Sequence, residues 1–302
     1  MTSLTRALLD WYGLYGREHL PWRLTRDPYR IVVSEFMLQQ TQVDRVLPLY
    51  QAFLALFPDF AALAQASTAD VIRAWRGLGY NSRAVRLQRL ARTVLEEHGG
   101  NLPEDAQALR GLPGIGPYTV AAVRVFAFER DDAAADVNIR RVVHRTVYGL
   151  EFPPKASVRE VDASACASVP PGRGHDWNSA MMDLGATICT ARAPKCLICP
   201  LRPHCAAAPI DAAELAEAMR AHAPKRSPQE RIPFEKTTRY VRGRIVDRLR
   251  ELPPGQAVSF LDLHDELNRL VACDERAFKA VVRSLVRDGI VRESEQGLGL
   301  LA

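Results

Sequence analysis

The chain has 302 residues, 47% of them hydrophobic, enough to bury a full core and to hold two or three modules. A formal net charge of +5 and a pI near 9.0 permit an anionic partner without requiring one. No run of about 18 apolar residues is present to span a membrane. Residues 1–16 carry Arg6 and Asp10, followed by Arg17, around a short apolar face instead of a signal peptide's apolar stretch. The expectation is a soluble protein of the cytoplasm.

Helical periodicity dominates. Leu4, Leu8, Leu9 and Trp11 open a first helix, and a longer one starts near Pro28 with Ile31, Val32, Phe36, Met37 and Leu38 on its buried side. Glu35 interrupts that apolar run. It reads either as a solvated glutamate or as a functional carboxyl, and burial among such neighbours would favour its neutral, proton-donating form. Further helices fit 43–57, 69–78, 82–98, 104–111, 117–129, 137–149, 156–168 and 176–190, with turns at Gly77–Gly79, Gly99–Gly100 and Pro170–Gly174. Period-two alternation is absent before about residue 255, so the main body is expected to be all-α.

Between two of these helices lies Leu112-Pro113-Gly114-Ile115-Gly116-Pro117-Tyr118-Thr119. Two glycines flanking an apolar residue allow a tight turn whose N–H groups point outward at the next helix's start, where a phosphate could bind without side-chain charge. An ordinary helix–helix turn is the plainer alternative. Asp136 and Asn138 open another helix, and both fit simple N-capping.

Cys189, Cys196, Cys199 and Cys205 make C-x6-C-x2-C-x5-C. Soft thiolates so crowded suit a tetrahedral zinc or a [4Fe–4S] cluster, and the wide spacing with a single close pair favours iron–sulfur. Cys166 and Cys273 read as small core residues. After an Ala-rich stretch (206–223), residues 223–236 read as a linker. Residues 237–302 carry three helical patterns (238–252, 259–270, 274–288) and a short hairpin from Ile290–Glu293 and Leu298–Leu301, the order of a winged helix. Arg276, Lys279, Arg283 and Arg287 share one helix face, which reads equally as a phosphate-facing stripe or a solvated surface.

Taken together, the hairpin, the Asp twenty residues beyond Gly116 and the cysteine tail resemble the helix-hairpin-helix glycosylases of the endonuclease III and MutY type, over roughly residues 5–206. Leu20-Pro21-Trp22-Arg23, Asp27-Pro28-Tyr29, Ser34 to Val43, Trp75 to Tyr80 and Met181 to Gly185 look like the MutY-type adenine branch. The resemblance implies an all-α helix-hairpin-helix DNA glycosylase, to which the pattern of the tail adds a small winged-helix-like C-terminal α/β module. Its six-helix domain would span 21–129 and its [4Fe–4S] domain 1–20 with 130–222, followed by the linker 223–236 and the module 237–302. It also implies a monomer that acts on double-stranded DNA containing a mispaired base.

By the same resemblance, Glu35 would protonate the departing adenine at N7, and Asp136, with Asn138 beside it, would face the cationic sugar. Tyr118 stands where lyase-competent relatives carry a Schiff-base lysine, which implies a monofunctional glycosylase. Gln40 and Tyr80 match wedge residues beside the extrahelical nucleotide. Gly114, Gly116, Thr119 and Arg140 would meet the backbone, and Trp22, Arg23 and Met182 would line the base pocket. The four cysteines would hold the cluster. Further phosphate attraction is expected from Arg192, Lys195 and Arg202, from Arg140, Arg141 and Arg145, and from Arg83, Arg86 and Arg89. The chain departs from the pattern at Asn81 and Ser179 and in its short tail, which leaves opposite-base preference open. A thymine/uracil mismatch glycosylase and a non-catalytic iron–sulfur DNA-binding regulator are the alternatives.

Overall fold

A computed structural model describes residues 1–223, 233–268, 270 and 273–302. In chain order the helices are α1 (Ser3–Tyr15), α2 (Pro28–Leu38), α3 (Val43–Leu56), α4 (Phe60–Gln65), α5 (Thr68–Ala74), α6 (Ser82–His98), α7 (Ala106–Gly111) and α8 (Pro117–Phe126). Then come α9 (Val137–Val143), a π-helical turn (His144–Tyr148), α10 (Val158–Ser168), α11 (Gly174–Thr187) and α12 (Ala212–Ala221). The tail holds α13 (Thr238–Arg250), α14 (Phe260–Asn268), α15 (Glu275–Arg287) and an antiparallel hairpin of β1 (Val291–Ser294) and β2 (Gly297–Leu300). The helix starts follow from local chemistry. Asp59, Ser67, Asp136, Asp211 and Asp274 each accept an otherwise unpaired first-turn N–H, and Ser157 with Glu160 closes a capping box.

The described residues fall into two compact units. One comprises 1–31, 104–111 and 115–223; the other comprises 32–103, 112–114 and the tail from 233. The first packs Leu8 and Tyr12 of α1 with Ile139 and Val142 of α9 and Trp177 and Leu184 of α11. In the second, Ile72 of α5 and Val85 of α6 share a core with Ile245, Leu263, Phe278 and Leu285 of the tail. Phe278, Val281, Val282 and Leu285 of α15 are buried, while Arg276, Lys279, Arg283 and Arg287 are exposed on its other face. An isolated bridge, Val258 to Leu298, adds a third short strand contact to the hairpin, as in a winged helix.

Several expectations need correction. The helix expected over 69–78 stops at Ala74, because Gly77 (φ +92°) and Gly79 (φ +70°) turn the chain and Trp75 Nε1 donates to the Gly79 carbonyl. The helix expected over 137–149 changes to a π turn at His144, which carries Arg145 inward, fully buried. Helix α4 was not anticipated; six residues are too few for periodicity to register. Cys166 is exposed on α10, so it is no core residue. Most of the linker expected over 223–236, and the end of the helix expected over 259–270, lie outside the described residues.

Candidate active site

Asp136 sits in extended conformation (φ −77°, ψ −176°) as the N-cap of α9. Its Oδ1 accepts from the Asn138 and Ile139 amides at 2.9 and 2.7 Å, and its Oδ2 accepts from Asn138 Nδ2 at 2.8 Å. Asn138 is held in turn: its Oδ1 accepts from Arg141 Nη2 at 2.8 Å, and the same nitrogen donates to the Gly185 carbonyl at 2.7 Å. Arg141 Nε donates to the Cys189 carbonyl at 2.9 Å. Hydrogen bonds therefore run unbroken from Asp136 to Cys189, the first of the four crowded cysteines. Gly185 permits it, since a Cβ there would lie 2.6 Å from Asn138 Cβ.

In the other unit, Glu35 lies on α2, 8% exposed, amid Val32, Val33, Phe36 and Met37, all nearly inaccessible. Just beyond, Gln40 (φ +56°) takes the left-handed conformation, as does Tyr80 (φ +44°). For residues with side chains this is uncommon, and it persists only where the surroundings hold it. Arg83 is what holds it. Its Nη1 donates to the carbonyls of Phe36, Met37 and Gln39, and its Nη2 to those of Leu78 and Gly79 and to Thr41 Oγ1. One buried guanidinium thus stitches the end of α2 to the turn before α6. Burial pulls its pKa down to about 10, still high enough to stay charged at neutral pH. Arg83 is consequently no phosphate ligand, contrary to expectation; Arg86 and Arg89 are exposed. Trp75 and Tyr80 place their rings 5.6 and 5.7 Å from the Arg83 guanidinium.

The hairpin has the expected local form. Gly114 (φ +81°) needs glycine for its backbone, and a Cβ there would also meet Phe36 at 2.9 Å. Gly116 is the N-cap of α8, with Pro117 following and no side-chain acceptor on the helix start. A helix start without a side-chain cap is where an anion can be met by backbone N–H groups. Tyr118 is half-buried in the first turn of α8, and Thr119 beside it is buried.

Cys189, Cys196, Cys199 and Cys205 line one cavity, walled by Val142, Leu184, Ile188 and Leu201. Burial pushes the Cys199 thiol up to about 11, and raises Cys189 and Cys205 as well. Backbone amides oppose that rise: Leu201 at Cys199, and Ala207 and Ala208 at Cys205. Arg145 Nη1 approaches Cys189 Sγ at 3.5 Å. Four soft donors around one cavity, three of them met by N–H groups, suit a thiolate-bound metal centre. Among the described residues, no group of three or more His, Cys, Asp or Glu is placed to hold a single metal ion. Arg145 is fully buried against Glu151 and the Thr190 carbonyl, so it too is withdrawn from the expected phosphate set. Arg140 pairs with Asp162 at 2.7 Å and stays partly exposed, whereas Arg192, Lys195 and Arg202 are exposed.

Of the three residues expected in a base pocket, Trp22 is buried and Met182 half-buried. Arg23 is clamped by Asp183: Nη1 and Nη2 donate to its two oxygens at 2.6 and 2.8 Å, and Arg17 adds three more donors. Burial works to raise the Asp183 carboxyl, but the two arginines outweigh it and hold it below the usual carboxylate range. Sequence reasoning assigned Arg83 and Arg141 to phosphate and took Asp183 and Gly185 only as part of a signature run, so the structural roles of all four were missed. The burial period was a usable signal for Arg83, which shares a face with Leu87, Leu90 and Val94. For Gly185 the signal was a glycine inside a helix.

A family model described as HhH-GPD superfamily base excision DNA repair protein matches residues 33–162. The adenine DNA glycosylase of Mycolicibacterium smegmatis is 39% identical over 301 residues, covering 98% of this chain and 94% of the relative. That of Mycobacterium tuberculosis (strain H37Rv) is 38% identical, covering 96% and 90%. A solved thermostable thymine-DNA glycosylase is 33% identical with a TM-score of 0.62, covering 67% of this chain and 93% of its own. An endonuclease III trapped on DNA shares the fold at 22% identity and a TM-score of 0.57, covering 68% and 96%.

Proposed function

The chain belongs to the HhH-GPD superfamily of base excision DNA repair proteins, and from that premise we propose that it hydrolyses the N-glycosidic bond of adenine mispaired with guanine or 8-oxoguanine in duplex DNA. One observation carries the choice of base. The adenine DNA glycosylases of Mycolicibacterium smegmatis and Mycobacterium tuberculosis match 98% and 96% of this chain, tail included, whereas the thymine-DNA glycosylase structure covers 67% of it.

In this reading Glu35 gives a proton to the departing adenine at N7, which turns a poor anionic leaving group into a neutral one. Asp136 stabilises the oxocarbenium-like sugar, by the logic of paired carboxylates in glycoside hydrolysis. The two amides and Asn138 hold that carboxyl group in place. Water completes the hydrolysis, since the Tyr118 phenol forms no Schiff base, and the product is an abasic site. Gln40 and Tyr80 hold open the gap left by the extrahelical nucleotide, where unstacking costs a few kcal/mol. Gly114, Gly116, Thr119 and Arg140 contact the backbone, and Trp22, Arg23 and Met182 lie near the base.

Cys189, Cys196, Cys199 and Cys205 would hold a [4Fe–4S] cluster, which when bound orders the 189–205 loop. A cubane spreads four thiolates around several irons, so it suits cysteines that line one cavity better than a single ion does. No described helix is long and apolar enough to cross a membrane, in keeping with work on DNA in the cytoplasm. The reading takes the protein as a monomer, divided at 21–129, 1–20 with 130–222, 223–236 and 237–302.

Single-turnover base release from duplexes with adenine opposite 8-oxoguanine, adenine opposite guanine, and thymine opposite guanine tests the proposal. Adenine should be released and thymine retained. Release of thymine with adenine left intact would move the chain to the mismatch branch. Borohydride trapping of an enzyme–DNA adduct at the turnover rate would refute the monofunctional step.

A further inference from the structure

Beside the Gly77–Ser82 turn the second unit contains a cleft of about 530 Å³ that the proposed chemistry does not use. It is the size of a small-ligand site. Arg45, Arg239, Arg242, Arg244 and Arg250 line it, with Asp247 as the only acidic lining residue among the described residues. Arg242 is paired with Asp288, and Arg244 and Arg250 share Asp247. Arg45 and Arg239 are exposed and have no ion pair among the described residues. Two cations without a counter-charge facing one hollow favour the entry of an anion.

Two contacts tie the tail to the turn. The Arg239 guanidinium stands 4.3 Å from the centre of the Tyr80 ring, a cation–π distance, and Arg250 Nη2 donates to Asn81 Oδ1 at 2.8 Å. The Arg250 side chain is only 6% exposed and also donates to the Ile72 carbonyl at 3.1 Å. The tail therefore fixes the residue that follows Tyr80 and lays a cation over Tyr80 itself, while Tyr80 keeps 39% of its surface exposed. A polyanion that meets Tyr80 is led directly to Arg239 and Arg45.

We infer that this cleft is a second DNA contact, in which Arg45 and Arg239 grip a phosphodiester segment next to the nucleotides that Tyr80 engages, so that the C-terminal module acts as a backbone clamp. The inference rests on duplex DNA being the substrate. Planar guanidinium groups suit phosphate oxygens, and a cation already stacked on Tyr80 loses little freedom on binding.

The test measures affinity of the full chain for a short undamaged duplex by fluorescence anisotropy, from about 50 to 200 mM salt. Each phosphate contact contributes about 0.9 to the slope of log K against log salt. Arg45→Ala and Arg239→Ala should each lower the slope by about that much, and the double variant by about 2. Affinity of the double variant should fall about tenfold. The double lysine variant, which keeps both charges, should retain the wild-type slope. Wild-type slope and affinity in the double alanine variant would overturn the inference. Undamaged duplex keeps this separate from the base-release reading: a wild-type protein that binds with these slopes yet releases no adenine refutes the chemistry and leaves the clamp standing.

Discussion

Gly185→Ala tests whether the packing of α11 on α9 sets the geometry of Asp136. The added Cβ would lie 2.6 Å from Asn138 Cβ, 3.2 Å from its Cα and 3.3 Å from its carbonyl carbon. Carbon atoms rest comfortably at about 3.5–4.0 Å, so the helices must part by about 1 Å. The obstacle is backbone and the first side-chain atom, so no rotamer relieves it. Overpacking of this kind costs about 1–3 kcal/mol, or a melting temperature lower by roughly 2–12 °C for a domain of this size. The displacement falls on Asn138, which holds one oxygen of Asp136, and a misplacement of about 1 Å in a reacting constellation can cost about 100-fold in rate. Single-turnover adenine release should therefore fall about 100-fold while duplex affinity changes much less. Gly13→Ala is the control: it is exposed on α1 with nothing within 4 Å of its added Cβ, and should stabilise by about 0.5–1 kcal/mol with activity unchanged. A Gly185→Ala enzyme with wild-type melting and a rate within about twofold would refute the reasoning.

Arg83→Ala strips donors from the carbonyls of Phe36, Met37, Gln39 and Leu78, while Gly79 keeps Trp75 Nε1; at about 1–3 kcal/mol for each buried group left unpaired, even partial relaxation leaves a loss of about 3 kcal/mol in thermal or urea unfolding. Asp183→Ala leaves Arg17 and Arg23 without their counter-charge and should cost about 3–5 kcal/mol. Because the native Asp183 pKa lies below its unfolded value of about 3.9, its contribution is complete above about pH 4. It is lost as pH falls through the native pKa, so wild-type and variant unfolding free energies should converge on the acid side and stay apart at pH 7. Cys199→Ser should lower the iron content from about four atoms per chain and expose the 189–205 loop to protease; unchanged iron by elemental analysis would remove this cysteine from the ligand set.

Most of the helices were legible in the sequence because their apolar periods are long and their caps are single residues with one job. The 82–98 pattern and its glycine stop at Gly99 match α6 to the residue. Grouping Arg83 with Arg86 and Arg89 was an error of period: steps of three drift round a helix with 3.6 residues per turn, and burial follows Arg83, Leu87, Leu90 and Val94 instead. The π turn at His144 was invisible because its cause is distant, in Glu151 and the carbonyls of Thr190 and Ala191 that draw Arg145 inward. The same holds for the Asp136 site. That Asp136 caps a helix could be read from the order Asp-Val-Asn before an apolar run, but the support from Arg141 and Gly185 comes from residues that only the fold brings to it. The cleft at Tyr80 was equally hidden, since nothing in residues 239–250 specifies that they meet the turn at 77–82.

The most direct test of the account is the rate of adenine release by Asp136→Asn. Asparagine caps helices as well as aspartate does, so α9 and overall stability should be kept while the negative charge is lost. The account predicts a single-turnover rate lower by about 10²–10⁴, with melting temperature and duplex affinity close to wild type. Full-speed release of adenine by this variant would contradict it.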